Sequence, residues 1–247
     1  MRLSVLILLA GMTSIASAQP PGKFPPDSLV NTKVFPHSTP VTEVIGTMRN
    51  FTSALGVRCQ FCHVGREGQP LAEFDFASDQ KRNKLVARQM MLMLAEINKR
   101  LDTIPEKPQP KFFATCATCH RGVNRPVPLS QLVQEAAVAV SADSAIRTYK
   151  ALRAKYFGKD AYDFSEPSLN TAAFRTARAG KPDEALAILR YNEELFPNSS
   201  AMSVFKGNIE LIKGDTAAAE AAFREAIRRD STNAEARGRL QQIGRKP

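Results

Sequence analysis

Tryptophan is absent from the 247-residue chain, aromatic residues make up only 7% of it, and there are three histidines and four cysteines. Few aromatic residues, together with abundant alanine, leucine, arginine and lysine, favour helices over strands. The composition therefore predicts a mainly α-helical fold. Because histidine and cysteine are so scarce, few side chains are available for any metal or cofactor site.

The N-terminus also lacks an apolar run long enough to span a membrane. Residues 3–9 are apolar, but this stretch is shorter than the roughly 20 residues that a spanning helix needs. It follows a basic start at Arg2 and precedes a small-residue cleavage site at residues 16–18. The sequence predicts a signal peptide over residues 1–18, cleaved after Ala18, and a mature protein in the periplasm.

The chain has 34 lysines and arginines against 24 aspartates and glutamates, which gives a formal net charge of +10. The basic residues are scattered along the sequence, and for an exported protein we predict no nucleic-acid partner. A positive surface can steer a protein towards an acidic partner or an anionic membrane face. A solvated surface with a positive bias and no specific partner is the alternative.

All four cysteines fall in two copies of one pattern, Cys59-Gln60-Phe61-Cys62-His63 and Cys116-Ala117-Thr118-Cys119-His120. Two thiols at this spacing can form thioethers with the two vinyl groups of one haem, and the adjacent histidine then lies beneath the iron. Disulfides or a zinc site would also use cysteine pairs, but neither explains a histidine after each pair. The sequence predicts two covalently bound haem c groups, one held by Cys59, Cys62 and His63 and the other by Cys116, Cys119 and His120.

Few residues remain to supply a sixth ligand to the two irons. The third histidine, His37, precedes the first predicted helix and is interpreted as an exposed turn residue. The mature chain has methionines only at positions 48, 90, 91, 93 and 202. Start signals around Pro40 and a stop signal at Gly56 predict a helix with Met48 on its apolar stripe. A methionine on such a stripe is core filler by default.

A second helix is predicted to begin at Ser78-Asp79 and to run to about Leu101. Met90 and Met93 share its apolar face, and Met91 points aside. A helix that carries a methionine, then a loop and then an attachment motif thus follow one another twice in the chain. This repetition predicts that Met48 is the sixth ligand of the first haem. For the second haem the pattern leaves Met90 and Met93 open.

Four segments carry a resemblance to a known family: residues 48–59, 74–79, 90–98 and 115–122. They resemble the cytochrome c subunit of photosynthetic reaction centres, and still more the shorter di-haem relatives of that subunit in non-photosynthetic bacteria. The resemblance spans roughly residues 30–128. It implies haems that lie along helices with methionine as sixth ligand, Met48 for the first haem and Met93 for the second, with Met90 as the fallback. Because the chain has two haem motifs instead of four, no photosynthetic role is implied.

After Pro128 the composition shifts and both cysteine and histidine disappear. We therefore predict a di-haem cytochrome domain over residues 19–129, a connecting helical segment over 130–165 and a repeat domain over 166–247. In the connecting segment a helix is predicted from Ala145 to Phe157.

In the last segment two residues recur after 34 positions, Gly180 as Gly214 and Ala185 as Ala219, and Leu189 is replaced by Phe223 at the same offset. These residues resemble the tetratricopeptide repeat, a helix-turn-helix unit. Two such units and a final helix from Ala234 to Ile243 would form a short solenoid, which usually binds a protein or peptide. A helical appendage that packs on the cytochrome or pairs with its own copy is the alternative.

Two classes of function fit two haems. An electron carrier has both irons six-coordinate, whereas a di-haem enzyme such as a peroxidase keeps one iron open beside an acid or base. Residues 64–115 contain no histidine, and the helix stripes are methionine and aliphatic residues. The sequence therefore predicts an electron carrier and not an enzyme. We expect this carrier to exchange electrons with redox partner proteins or with a membrane-bound complex. The peroxidase-like enzyme is the alternative.

Overall fold

The computed structural model describes residues 22–106 and 112–244, and the fold over these residues is helical, as predicted. The described residues also contain two 3-10 turns and an isolated antiparallel bridge between Val64 and Asp75, but no strand. None of the described helices is long and apolar enough to cross a membrane. The predicted signal peptide, residues 1–18, lies outside the described residues.

The described residues contain the following helices: α1 (Val41–Leu55), α2 (Arg82–Leu101), α3 (Cys116–His120), α4 (Leu129–Ala139), α5 (Ala142–Tyr156), α6 (Glu166–Arg178), α7 (Pro182–Leu195), α8 (Ser200–Lys213), α9 (Thr216–Arg229) and α10 (Ala234–Ile243). The chain divides into two compact units, an N-terminal unit that ends at Cys116 and a C-terminal unit that begins at Ala117. The domain boundaries predicted at residues 129 and 165 stay predictions.

Helix α1 begins after Pro40 and ends at Gly56, where the sequence places its start and stop signals. Its apolar stripe, which includes Met48, is half-buried, whereas Arg49 and Asn50 on the other side are exposed. The helix therefore presents Met48 on its less exposed side, as the spacing predicts.

Helix α2 begins at Arg82, so the predicted start at Ser78-Asp79 is wrong, although the helix ends at Leu101 as expected. The Asp79 carboxylate accepts a hydrogen bond from Arg88 at 2.9 Å and another from the Asn31 side chain at 2.9 Å. These hydrogen bonds hold the pKa of Asp79 well below its usual range. Asp79 therefore anchors the loop before α2 and does not cap the helix.

The C-terminal unit has one large core to which α4, α5, α6, α7 and α8 all contribute. Helix α5 begins three residues before the predicted Ala145, because the Ser141 hydroxyl accepts a hydrogen bond from the backbone N–H of Ser144 and caps it. Leu129 and Val133 of α4 and Tyr149 of α5 are almost fully buried in this core. Residues 130–165 thus share a core with the helices that follow them.

Helices α6 to α9 form two consecutive hairpins. Helix α8 begins 34 residues after α6, and α9 begins 34 residues after α7. Ala185 and Ala219 are both fully buried, and Gly180 and Gly214 both adopt a positive φ, 86° and 89°, where each hairpin turns. The helices therefore recur with the same offset as the residues, and α10 packs against α9 at the end of the series.

Candidate haem sites

The first cysteine motif forms one tight helical turn. Cys59–Phe61 is a 3-10 turn, and the Cys59 carbonyl accepts hydrogen bonds from the backbone N–H of Cys62 at 3.2 Å and of His63 at 2.9 Å. Cys59 and Cys62 are free, half-buried thiols. The turn therefore gathers two thiols and an imidazole within five residues, the donor set that attachment of haem c requires.

The start of α2 holds this turn in place. The Lys81 ammonium donates a hydrogen bond to the Gln60 carbonyl, and the Asn83 side chain donates one to the Phe61 carbonyl at 3.1 Å. The carbonyls inside the motif are thus satisfied by side chains from the following helix. This arrangement fixes the attachment turn against α2, although the two segments are about twenty residues apart in the sequence.

Lys84 organises the loop that packs on His63. Its ammonium donates hydrogen bonds to the carbonyls of Phe76, Ala77 and Ser78, each at 2.9 Å, and lies 3.0 Å from the Asp79 carboxylate. Only 11% of the Lys84 side chain is exposed. The edge of the Phe76 ring meets the His63 imidazole with the ring centroids 4.9 Å apart. Lys84 thus holds the aromatic ring that limits rotation of the imidazole.

The environment of His63 favours the neutral imidazole. Burial lowers the pKa of His63, and the positive charge of Lys84 lowers it further, whereas a hydrogen bond to the backbone of Phe76 acts in the opposite direction. A neutral imidazole is the form that binds a metal.

A cavity of about 340 Å³ lies beside the first motif. It is lined by residues that include Cys59, Leu71 and Phe74, and by Thr52, which lies one turn after Met48 on α1. The half-buried stripe that carries Met48 is therefore continuous with the wall of this cavity. Ligation by Met48 stays a prediction.

The second motif forms helix α3 and ends in a hydrogen-bonded turn. The Nδ1 atom of His120 lies 2.8 Å from the Val123 carbonyl, and the Val123 N–H donates to the His120 carbonyl at 2.9 Å. Because a carbonyl can only accept, Nδ1 carries the proton and Nε2 keeps its lone pair. His120 and Val123 are both buried. The ring is therefore held in the tautomer that iron ligation through Nε2 requires.

The sequence did not reveal the contacts that fix the chain around the second motif. After the motif, Arg125 forms two hydrogen bonds of 2.6 Å with Glu135 of α4, and these lower the pKa of Glu135 to about 2. Before the motif, the Asn98 side chain pairs with the backbone of Ala114, donating at 2.9 Å and accepting at 2.7 Å. Asn98 belongs to the segments that carry the family resemblance, and the structure gives it this anchoring role.

Helix α2 presents methionines on an exposed apolar surface. Met90 and Met93 are 38% and 48% exposed and lie on the same face as Val86, whereas Met91 is half-buried on the other side. This separation agrees with the predicted faces of the helix. Because Met93 and Met90 lie on the same face, their positions do not decide which of them binds the second haem. Met93, with Met90 as the fallback, stays a prediction.

The donor atoms fit haem c better than they fit a metal ion bound by side chains alone. Among residues 22–106 and 112–244, no three histidine, cysteine, aspartate or glutamate side chains are placed so that they could hold a metal ion by themselves, as a structural zinc site would require. Each motif instead offers one histidine beside two cysteines in a single turn. His37 is exposed in a turn and bonded to Thr32, as interpreted from the sequence.

Comparison with known proteins agrees with this chemistry. Residues 67–163 match the family model of the photosynthetic reaction centre cytochrome C subunit. The match begins after the first motif, includes the second, and extends beyond the predicted limit of residue 128 through α5. No curated protein matches the chain. Over residues 67–163 the chain is therefore similar to reaction-centre cytochrome c subunits, a family of c-type cytochromes that bind haem covalently and take part in electron transfer.

Proposed function

We propose that this protein is a periplasmic di-haem c-type cytochrome that transfers electrons between redox partner proteins. The observation that carries the proposal is the recurrence of one donor arrangement, two cysteines and a histidine within a single helical turn, at His63 and again at His120. The family match over the second motif and the signal-like N-terminal sequence support it.

The chain's own residues hold and orient the two haem groups. Thioethers from Cys59 and Cys62 fix the first haem, those from Cys116 and Cys119 fix the second, and each neighbouring histidine binds an iron. Bound haem supplies a one-electron change between ferrous and ferric iron. Met48 and Met93 are proposed as the sixth ligands, which would leave neither iron open to substrate.

The surroundings of His63 suit an electron carrier. Its ring contacts Phe76, and two of the nearby charged side chains, Lys84 and Arg88, are engaged with Asp79. Ion-paired side chains and an aromatic ring supply a rigid environment for the proximal ligand, which keeps reorganisation on electron transfer small.

The partner proposed for the haem-bearing part is an acidic redox protein or an acidic face of a membrane-bound complex. Residues 19–129 contain 15 lysines and arginines against 9 aspartates and glutamates. Opposite charge raises the rate of encounter and this effect falls as salt screens it.

The repeated hairpins are proposed as tetratricopeptide-like units that dock a protein or peptide. In support, the helices recur at 34 residues, and a cavity of about 480 Å³ lies over α8 between α7 and α9. Arg229 closes one end of it through ion pairs of 2.7 Å with Glu193 and Glu225. No nucleic-acid partner is proposed.

Electron exchange with a small acidic redox protein tests the carrier proposal. We expect rapid oxidation of the reduced cytochrome, with a rate that falls steadily as ionic strength rises, because the attraction is screened. Stopped-flow spectroscopy of the haem bands measures the rate. A basic redox protein of similar potential is the control and should react more slowly at low salt. Sustained turnover with hydrogen peroxide would contradict the proposal and favour the haem enzyme.

A further inference from the structure

Helix α2 contacts the chain at both attachment motifs. Near its start, the Asn83 side chain donates a hydrogen bond of 3.1 Å to the Phe61 carbonyl inside the first motif. Near its end, Asn98 pairs with the backbone of Ala114, which lies shortly before the second motif. At 1.5 Å per residue the two asparagines are about 22 Å apart along the helix axis. One helix therefore supports both attachment segments at a fixed separation.

The contact at Asn98 is a closed pair of hydrogen bonds. The side-chain Nδ2 donates to the Ala114 carbonyl at 2.9 Å, and Oδ1 accepts from the Ala114 N–H at 2.7 Å. Only one orientation of the amide group satisfies both bonds. Ala114 is 8% exposed, so its N–H and carbonyl would lose their partners if the Asn98 side chain were removed.

The two asparagines are exceptions to the composition of α2. The helix consists mainly of strong helix formers such as leucine, methionine, lysine and arginine. Asparagine is less favourable in a helix, because its side chain competes for hydrogen bonds with the backbone. In α2 both asparagines bind the backbone of an attachment segment instead. They therefore serve the contact with those segments and not the stability of the helix itself.

The same helix carries the methionines proposed for the second iron, Met93 with Met90 as the fallback. A thioether at Cys116 would fix one edge of the second haem to the chain. Because Ala114 is bonded to Asn98 just before Cys116, this pair of hydrogen bonds sets where Cys116 lies relative to α2. It thereby also sets where a haem on Cys116 lies relative to the methionines.

We propose that Asn98 is the positioning residue for the second haem, which it keeps within reach of a methionine of α2 by fixing Ala114 to this helix. The inference rests on the proposed function, because it needs a second haem with a methionine ligand. The effect is confined to the second iron, since Lys81 and Asn83 hold the first motif through contacts of their own.

Binding of added imidazole to the oxidised, full-length, haem-loaded protein tests the inference, because imidazole replaces a sixth ligand that has moved away. In Asn98→Ala the affinity of the second iron for imidazole should rise about tenfold, since loss of the two hydrogen bonds makes displacement of the methionine easier. One of the two reduction steps should also move down. Asn98→Asp keeps the acceptor for the Ala114 N–H, so it should show a smaller rise, and it carries the test if the alanine variant does not fold.

Removal of one attachment site at a time assigns the effect to one iron. With Cys59 and Cys62 replaced by alanine the second haem remains, and Asn98→Ala should still raise the affinity for imidazole. With Cys116 and Cys119 replaced instead, Asn98→Ala should change nothing.

Asn83→Ala and Asn50→Ala are the matched controls. Asn83 lies on the same helix but contacts the first motif, and Asn50 is exposed on α1. Neither change should alter imidazole binding at the second iron. An unchanged second iron in both Asn98 variants would overturn the inference, and so would an equal change at both irons, because Asn98 would then act through the whole helix. Failure of the proposed function looks different, since the wild type itself would lack the second haem or its methionine-to-iron charge-transfer band.

Discussion

Replacement of both Cys116 and Cys119 by alanine is expected to remove one covalent haem and leave the other in place. Each motif forms its own turn, and the hydrogen bonds that fix the first turn come from Lys81 and Asn83 and not from the second motif. Without its thiols the second turn can bind iron only through His120, and such a haem is lost in acid and denaturant. Mass spectrometry of the denatured variant measures the loss.

The reciprocal variant, in which Cys59 and Cys62 are alanine, is the control for this experiment. It should also keep one haem, and its spectrum and potential should differ from those of the first variant, because His63 packs against the Phe76 ring whereas His120 donates a hydrogen bond to the Val123 carbonyl. A variant that kept both haems after loss of either cysteine pair would contradict the assignment of the attachment sites.

Replacement of Met48 by alanine is expected to open the first iron. Met48 lies on the half-buried stripe of α1, next to the cavity wall beside Cys59. Loss of an axial methionine lowers the potential of a haem and frees a coordination position. In the oxidised variant the first iron should become high-spin. The methionine-to-iron charge-transfer band should lose the intensity that this iron contributes, and added imidazole should bind to the open coordination position.

Met91→Ala is the matched control for Met48→Ala, because Met91 is also half-buried but lies on the side of α2 away from Met90 and Met93. It deletes the same atoms and should leave both irons low-spin. Unchanged spectra and potentials in Met48→Ala would show that another residue binds the first iron.

The fold was predictable where the determinants are local. The limits of α1 follow from Pro40 and Gly56, and α10 occupies the predicted residues 234–243. The start of α2 was missed because the partners of Asp79 include Asn31, which is 48 residues away. The spacing of residues near the helix start does not indicate a contact with a side chain so distant in the sequence.

The role of α4 and α5 was also not visible in the sequence. They pack in the same core as α6 and α7, but the longer link between α5 and α6 interrupts the spacing of 34 residues. The period therefore identifies two hairpins and misses the helix pair that precedes them.

The candidate sites, like the fold, were predictable only where the determinants are local in the sequence. The cysteines and histidines that would hold haem are readable from their spacing, because thioether attachment requires it. The groups that surround the two histidines are less visible in the sequence: the backbone carbonyl of Val123 at His120, and the ring and backbone of Phe76 at His63. Every residue has a carbonyl, so no pattern of side chains indicates which of them meets a histidine.

The mass of the exported protein, measured after acid denaturation, decides whether two haems are covalently attached. We expect a chain that begins after Ala18 and carries the mass of two haems, since thioether bonds survive denaturation. A mature chain without haem, or one in which Cys59 is joined to Cys62 and Cys116 to Cys119 by disulfides, would contradict it.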